Sequence, residues 1–100
     1  MKTLHFNYGY FDSDPVKDLE YRLNLGIVDF MFIKKEDSSV RNARGTLNML
    51  LDCIDWSAIP MDLITPPSHV RTYFDLDKNK WRCFIKDNLI WYSEDVEVDL

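Results

Sequence analysis

The stretch from Val70 to Tyr92, VRTYFDLDKNKWRCFIKDNLIWY, constrains the fold of this chain more than any other segment. Two aromatic-rich runs flank the polar turn DKNK, which is the pattern of a β-hairpin, and Asn79 suits the positive-φ position of that turn. KDNL then predicts one turn of 3₁₀ helix before a last strand, IWY. A hairpin followed by such a turn and a crossing strand is typical of small SH3-like or Sm-like β-barrels, because the crossing strand covers an exposed sheet edge.

Two further strands precede this hairpin. GIVDFMFIKK predicts a strand over residues 27–34, EDSS predicts a turn, and VRNARGT predicts a second strand over residues 40–46. The connection that follows has apolar residues at helical spacing, which predicts one or two helical turns. These residues are Leu47, Leu50, Leu51 and Ile54. A loop stiffened by Pro66 and Pro67 then leads to the hairpin.

The N-terminal segment predicts a strand and a helix. Alternating large residues predict the strand, and they are Leu4, Phe6, Tyr8 and Tyr10. SDPVKDLEYRLNLG predicts a helix over residues 15–25, with Ser13 or Asp14 as its N-cap and Gly26 as its end. Pro15 suits the first position of that helix.

Three quoted runs carry a resemblance to a known family. VRNARGTLN, the later AIP, and VRTYFDLDKNKWRCFIKDNLI resemble a WYL-like, Sm-like SH3 β-barrel family of small proteins common in tailed phages. The resemblance covers about residues 27–92, although Cys83 stands where the family usually has Ser, and the connection from Leu47 to Pro67 is longer and more apolar. It implies a phage origin and a mainly β fold, a small five-stranded SH3/Sm-like barrel, to which the sequence pattern adds the N-terminal strand and short helix. It implies no established activity.

This reading divides the chain into three parts. We expect residues 1–26 to pack on the barrel, residues 27–92 to form it, and residues 93–100 to be an acidic tail. The chain carries a net charge of −5, of which the last ten residues contribute four acids and no base. That total disfavours generic binding along a nucleic-acid backbone, whereas residues 31–90 carry a net +1 and leave a local basic patch open.

Compartment and redox state follow from what the sequence contains. No apolar run reaches the ~18 residues of a membrane span, and the N-terminal segment lacks a signal-peptide core. We therefore expect a protein of the host bacterial cytoplasm. Cys53 and Cys83 fit that compartment as two buried thiols, and a disulfide between them is left open.

No catalytic or metal-binding motif was found. His5 and His69 are not at metal-ligand spacing with the cysteines, and Cys53 has no neighbouring His to activate it. The acid pairs Asp75 with Asp77 and Asp52 with Asp55 are interpreted as solvated or turn-capping groups. The sequence therefore predicts a non-enzyme with no cofactor and no metal.

Most aromatic residues of the hairpin and the last strand are predicted to form the barrel wall, and the others are predicted to lie at the surface. Successive strand residues face opposite sides, so Tyr73 and Phe74 should not both be core, nor Trp91 and Tyr92. Along the second hairpin strand, the face with Trp81, Cys83 and Ile85 is the simpler core, and Arg82, Phe84 and Lys86 form the other face. At least one large aromatic of this set should remain exposed beside a basic residue.

Two surfaces are candidates for partner binding. The first combines aromatic and basic residues, namely Arg41, Arg44, Tyr73, Trp81 and Arg82. The second is the tail, whose acids are Glu94, Asp95, Glu97 and Asp99. Val96, Val98 and Leu100 alternate with acids there, as in a strand that adds to the protein's own sheet or to a partner's.

The preferred functional interpretation is a phage accessory protein that binds and modulates a host protein complex of the defence or gene-expression machinery. The alternative is a nucleic-acid or nucleotide-binding Sm-like barrel, because bases stack on aromatics beside Arg and Lys. Homo-oligomerisation is left open by the sequence.

Overall fold

The computed structural model describes residues 2–51 and 54–98. Its strands are β1 (Lys2–His5), β2 (Ile27–Ile33), β3 (Val40–Thr46), β4 (Val70–Asp75), β5 (Lys80–Ile85), β6 (Leu89–Tyr92) and β7 (Asp95–Val98). Its α-helices are α1 (Pro15–Leu25) and α2 (Met61–Ile64), and short 3₁₀ turns lie at Trp56–Ala58 and Lys86–Asn88. No helix in the described part of the chain is long and apolar enough to cross a membrane.

The elements with strong local signals form where the sequence predicts them. Asp14 caps α1, because its carboxylate accepts the Val16 N–H at 3.0 Å, and Gly26 follows the last helical residue. Asn79 has a φ of 54° in the β4–β5 turn, as predicted. The predicted 3₁₀ turn between β5 and β6 is also confirmed.

The strands form one antiparallel sheet in the order β1-β7-β2-β3-β4-β5. The edge of β2 opposite β3 is paired by two successive segments, with Ile27 opposite Glu97 of β7 and Phe30 opposite Tyr92 of β6. The crossing last strand thus covers β2, as expected for an SH3-like barrel. Between β5 and the other end of the sheet the described residues make no pairing, so the barrel remains open along β5.

Two regions differ locally from their predicted structure. β1 ends at His5, and Tyr8 and Tyr10 lie in turns, where Gly9 adopts a φ of +70°. The helical turns predicted after Leu47 are absent from the described residues there, because the Asn48 side chain accepts the Leu50 N–H and forms a turn instead. Helical structure begins later, at Trp56 and Met61.

The main core lies inside the barrel. Side chains of α1 and the strands fill it: Leu19, Leu23, Val28, Phe30, Phe32, Ala43, Tyr73, Phe84, Tyr92, Val96 and Val98. Tyr92 is buried and Trp91 is 42 % exposed, which confirms that only one of this pair is core.

A second core cluster lies on the outer face of the hairpin. Phe74 packs there with Ile27, Leu51 and Ile54, and Trp81 lies against it. Tyr73 and Phe74 are therefore both buried, contrary to prediction, because the connection between β3 and β4 covers the face that was expected to be exposed.

The assignment of the β5 faces was wrong for the same reason. Phe84 faces the main core, whereas Trp81 belongs to the outer cluster. Cys83 is exposed and is not the buried thiol that was predicted. Cys53 lies outside the described residues.

Candidate functional sites

A basic pocket lies along the open side of the barrel, between the β2–β3 turn and β5. We call it the seam pocket; its volume is about 160 Å³. Phe32 and Phe84 form apolar wall and stack on each other at 5.3 Å. The polar and charged side chains that line it are Lys34, Lys35, Glu36, Arg41, His69, Arg82 and Cys83. The pocket is thus a local concentration of positive charge on an acidic protein.

Strand register explains how two of the predicted partner-binding residues meet in this pocket. Arg41 is paired with Phe32 in the β2–β3 ladder, so both project toward the barrel interior. Arg82 lies two residues before Phe84 on β5 and projects to the same side. The fold therefore joins Arg41 and Arg82, which the sequence separates widely.

Tyr73 lies beneath these arginines and is not a surface residue. Its side chain is 0 % exposed, and its ring contacts Phe30, Phe32 and Phe84. Burial and the Asp75 carboxylate raise the pKa of Tyr73, against a lowering effect of Arg41 and Arg82. Tyr73 is removed from the candidate partner surface, because its side chain is inaccessible.

Arg44 and Trp81 lie apart from the seam pocket. Arg44 is engaged by two carboxylates, Asp29 at 3.2 Å on β2 and Glu97 on β7. Trp81 packs edge-on against Trp56 at 5.0 Å and against Phe74 at 5.3 Å. The five predicted residues therefore do not form one surface.

The acidic tail forms β7 in the protein's own sheet, between β1 and β2. Val96 and Val98 face the core, while Asp95 and Glu97 alternate with them. Asp95 accepts a hydrogen bond from His5 at 2.7 Å, and Glu94 lies 3.7 Å from the same ring. Asp99 lies outside the described residues.

An exposed aromatic patch was missed by the sequence interpretation. It comprises Tyr8, Tyr10, Phe11 and Tyr21, which are 40 to 63 % exposed. Phe11 stacks on Tyr21 with ring centroids 3.7 Å apart and contacts Tyr10 at 4.6 Å. The adjacent pair Tyr10 and Phe11 interrupts strict alternation in the sequence, and this was the available signal that the segment is not a strand.

The aromatic patch adjoins the acids of β7. Phe6 packs against Tyr10 and Phe11 from below, and its backbone N–H donates to the Glu94 carbonyl at 2.9 Å. His5, which precedes Phe6 and ends β1, contacts Asp95. We call the aromatic patch together with Glu94 and Asp95 the aromatic–acidic surface.

The cysteine and the possible metal ligands at these sites bear on the chemistry that the sites could perform. Partial burial, Asp62 and Glu36 raise the pKa of the Cys83 thiol, which disfavours the nucleophilic thiolate. Among residues 2–51 and 54–98, no three His, Cys, Asp or Glu side chains are grouped as ligands for a metal ion.

Comparison with known proteins gives the family. No curated protein and no solved structure matched the chain. A family model described as WYL_2, Sm-like SH3 β-barrel fold, matches residues 16–90. This range includes all but the first residue of α1, the strands β2 to β5 with the connection between β3 and β4, and the first two residues of β6. This family and fold agree with those that the sequence resemblance implied. The chain belongs to the WYL_2 family of Sm-like SH3 β-barrels.

Proposed function

We propose that this protein is a non-enzymatic phage accessory protein that binds and modulates a host protein complex in the bacterial cytoplasm, in the defence or gene-expression machinery. The observation that carries the proposal is the aromatic–acidic surface. The Sm-like SH3 fold, typically that of a non-catalytic binding domain, supports the general class. The phage origin is supported by the resemblance of the sequence.

The aromatic patch has the composition of a protein interface. Aromatic residues are enriched at interface hot spots, because a rigid ring buries much apolar area on binding. Tyr10 is 63 % exposed and Phe11 is 42 % exposed, although both are large. Their mutual packing holds them in place before binding, which lowers the entropic cost of association.

The charge beside the patch indicates the chemistry of the partner. Burial and the nearby Glu94 carboxylate raise the pKa of the Tyr8 hydroxyl. Asp95 contacts His5, and Asp12 directly follows Phe11. A partner surface with Lys and Arg would pair with these acids and stack its cations on the rings. A protein that binds nucleic acid in a basic groove has such a surface. In that groove, the carboxylates of the aromatic–acidic surface would take the positions that the phosphates of the nucleic acid normally occupy.

Pull-down of the tagged protein from bacterial lysate, with and without nuclease, tests the proposal. We expect mass spectrometry to identify a host protein that is retained after nuclease and is lost in Tyr10→Ala and Asp95→Lys. The matched control is Met61→Ala, an exposed apolar residue on α2, at 86 % exposure. Capture that is equal in all of these variants would overturn the proposal.

The alternative of a nucleic-acid or nucleotide binder has one specific observation in its favour, the joint presence of Arg41 and Arg82 in the seam pocket. Recovery of nucleic acid, with loss of protein partners on nuclease treatment, would favour it. In that case binding should depend on Arg41 and not on Tyr10.

A further inference from the structure

The seam pocket holds two positive charges that form no ion pair within the described residues. Four lining side chains are Lys or Arg, and Glu36 is the acid among them. Lys34 is paired with Asp37 at 3.5 Å, and Arg82 lies 3.5 Å from Asp75. Among the described residues, Arg41 and Lys35 make no ion pair.

Two buried donors, one of them on Arg82 of the pocket lining and the other on Tyr73 behind that lining, also lack hydrogen-bond acceptors. The Tyr73 hydroxyl and the Arg82 Nε are both shielded from solvent and have no hydrogen-bond partner within the described structure. Tyr73 is 0 % exposed, and its ring packs against Phe32 and Phe84, which line the pocket. The acid nearest to the Arg82 Nε is Asp75, whose Oδ2 lies 3.5 Å away without forming a hydrogen bond. Leaving a buried donor unpaired costs free energy, and an anion in the pocket that accepts from Arg82 would reduce that cost.

We propose that the seam pocket binds a phosphate group, held by Arg41 and Arg82. Guanidinium groups match the geometry of phosphate oxygens, and they retain their charge when partly buried. This inference concerns residues apart from the aromatic–acidic surface and stands independently of the proposed function.

The size of the pocket defines what part of a ligand it can hold. Pockets that bind a whole drug-sized ligand have volumes of about 300–1,000 Å³. The seam pocket offers about 160 Å³. It therefore accommodates the phosphate group itself, while the remainder of a phosphorylated ligand would lie outside, over the β2–β3 turn.

Isothermal titration calorimetry with defined probes tests this proposal. The probes are inorganic phosphate, adenosine 5′-monophosphate, and a short oligothymidylate with and without a 5′-phosphate, all at one ionic strength. We expect adenosine 5′-monophosphate and the 5′-phosphorylated oligothymidylate, which are both phosphate monoesters, to bind. The oligothymidylate should bind more tightly with its 5′-phosphate than without it. Binding of the mononucleotide alone identifies a small-molecule source, and preference for the phosphorylated oligonucleotide identifies a nucleic-acid end. Acetate binding as tightly as phosphate, or no binding of any phosphate probe, would overturn the proposal.

Substitutions locate the site. Arg41→Gln should weaken phosphate binding by about tenfold or more, as expected for the loss of hydrogen bonds to a charged group. Arg41 makes no ion pair in the described structure, so this variant should fold even if Arg82→Gln does not. Lys17→Gln removes the same charge from an exposed position on α1 and should leave the affinity unchanged. Equal affinity of Arg41→Gln and wild type would exclude the seam pocket as the site.

Discussion

The Asp18 carboxylate and the Arg22 guanidinium lie 3.1 Å apart on α1, and both side chains are 0 % exposed. Arg22 also donates to the carbonyls of Phe6, Asn7 and Glu94, at 2.6 to 3.0 Å. Asp18 accepts further hydrogen bonds from the Gly9 N–H and the Tyr92 hydroxyl. This network joins the N-terminal segment, α1 and the start of β7, so it holds both parts of the aromatic–acidic surface in place.

Replacing Arg22 by Met should strongly destabilise the protein. It leaves the Asp18 charge buried without its cation and removes one donor from each of three carbonyls, of which, within the described residues, only those of Asn7 and Glu94 keep a backbone donor. Breaking a buried pair typically costs ~3–5 kcal/mol. Urea unfolding measures the change in the free energy of unfolding. The control is Lys34→Met, which breaks a more exposed pair with Asp37 and should cost less than ~1 kcal/mol. Similar losses in both variants would contradict the importance assigned to the network.

Acid should weaken the same network. Burial alone would raise the pKa of Asp18, but hydrogen bonds from Tyr92, Gly9 and Arg22 outweigh it and hold that pKa below its usual value. Because the pKa of Asp18 is lower in the folded protein, the ionised carboxylate stabilises the fold. This stabilisation is lost as the pH falls through the folded-state pKa, and it is fully present at pH values above the unfolded-state pKa of about 3.9. An NMR titration of the Asp18 side-chain carboxyl should therefore show a midpoint below that value. A midpoint above it would mean that burial dominates.

The features that short sequence segments could predict are those set by local chemistry. The bounds of α1 follow from Asp14, Pro15 and Gly26, and the hairpin turn follows from Asn79. The burial of both Tyr73 and Phe74 depends on the connection folding back over β4 and β5, which no local pattern encodes. The meeting of Arg41 with Arg82 likewise depends on the approach of two distant strands.

Strand alternation alone could have shown that the five predicted partner-binding residues do not all face the same side of the sheet. Arg41 and Arg44 lie three positions apart on β3, so they face opposite sides, and Arg44 is accordingly paired with Asp29 and Glu97. Trp81 and Arg82 are neighbours on β5 and are divided in the same way. Alternation thus argued against a single surface with all five residues.

Gly26→Ala should destabilise the join between α1 and β7. A Cβ at this position would clash with the Glu97 carbonyl oxygen, which belongs to the backbone and cannot rotate away. Overpacking of this kind typically costs ~1–3 kcal/mol. Thermal unfolding compares this variant with Lys17→Ala, an exposed substitution on α1 that should be nearly neutral. A neutral Gly26→Ala would show that β7 can withdraw from α1 at little cost.

Val96→Ala should show that β7 belongs to the folded core. Val96 is 0 % exposed, and loss of its two methyl groups should cost ~1–3 kcal/mol. Val40→Ala is the matched control, because Val40 is 55 % exposed on β3 and its truncation should cost less than ~0.5 kcal/mol. Chemical denaturation of both variants provides the comparison. Equal stability of the two variants would contradict a core role for β7, and deletion of residues 93–100 would then test partner binding without unfolding the protein. If Val96→Ala is the less stable variant, partner binding has to be tested with single charge changes such as Asp95→Lys.

The Cys83 thiol reports on the electrostatics of the seam pocket. Partial burial, Asp62 and Glu36 raise the pKa of this thiol, while Lys35 lowers it. Glu36→Gln removes one of the raising charges, so more thiolate should form at neutral pH and alkylation should be faster. The thiolate is the reacting form, so the direction of the rate change reports the direction of the pKa change.

The measurement is the rate of iodoacetamide labelling of the Cys83 peptide, followed by mass spectrometry. Asp77→Asn removes an exposed acid in the β4–β5 turn, outside the residues that line the seam pocket, and should leave the rate nearly unchanged. A faster rate in both variants would indicate a general effect of net charge on the thiol. A faster rate in Glu36→Gln alone would show that the Glu36 carboxylate acts on Cys83 inside the seam pocket. An anion bound in the pocket would then compete with the Glu36 carboxylate for the same basic side chains.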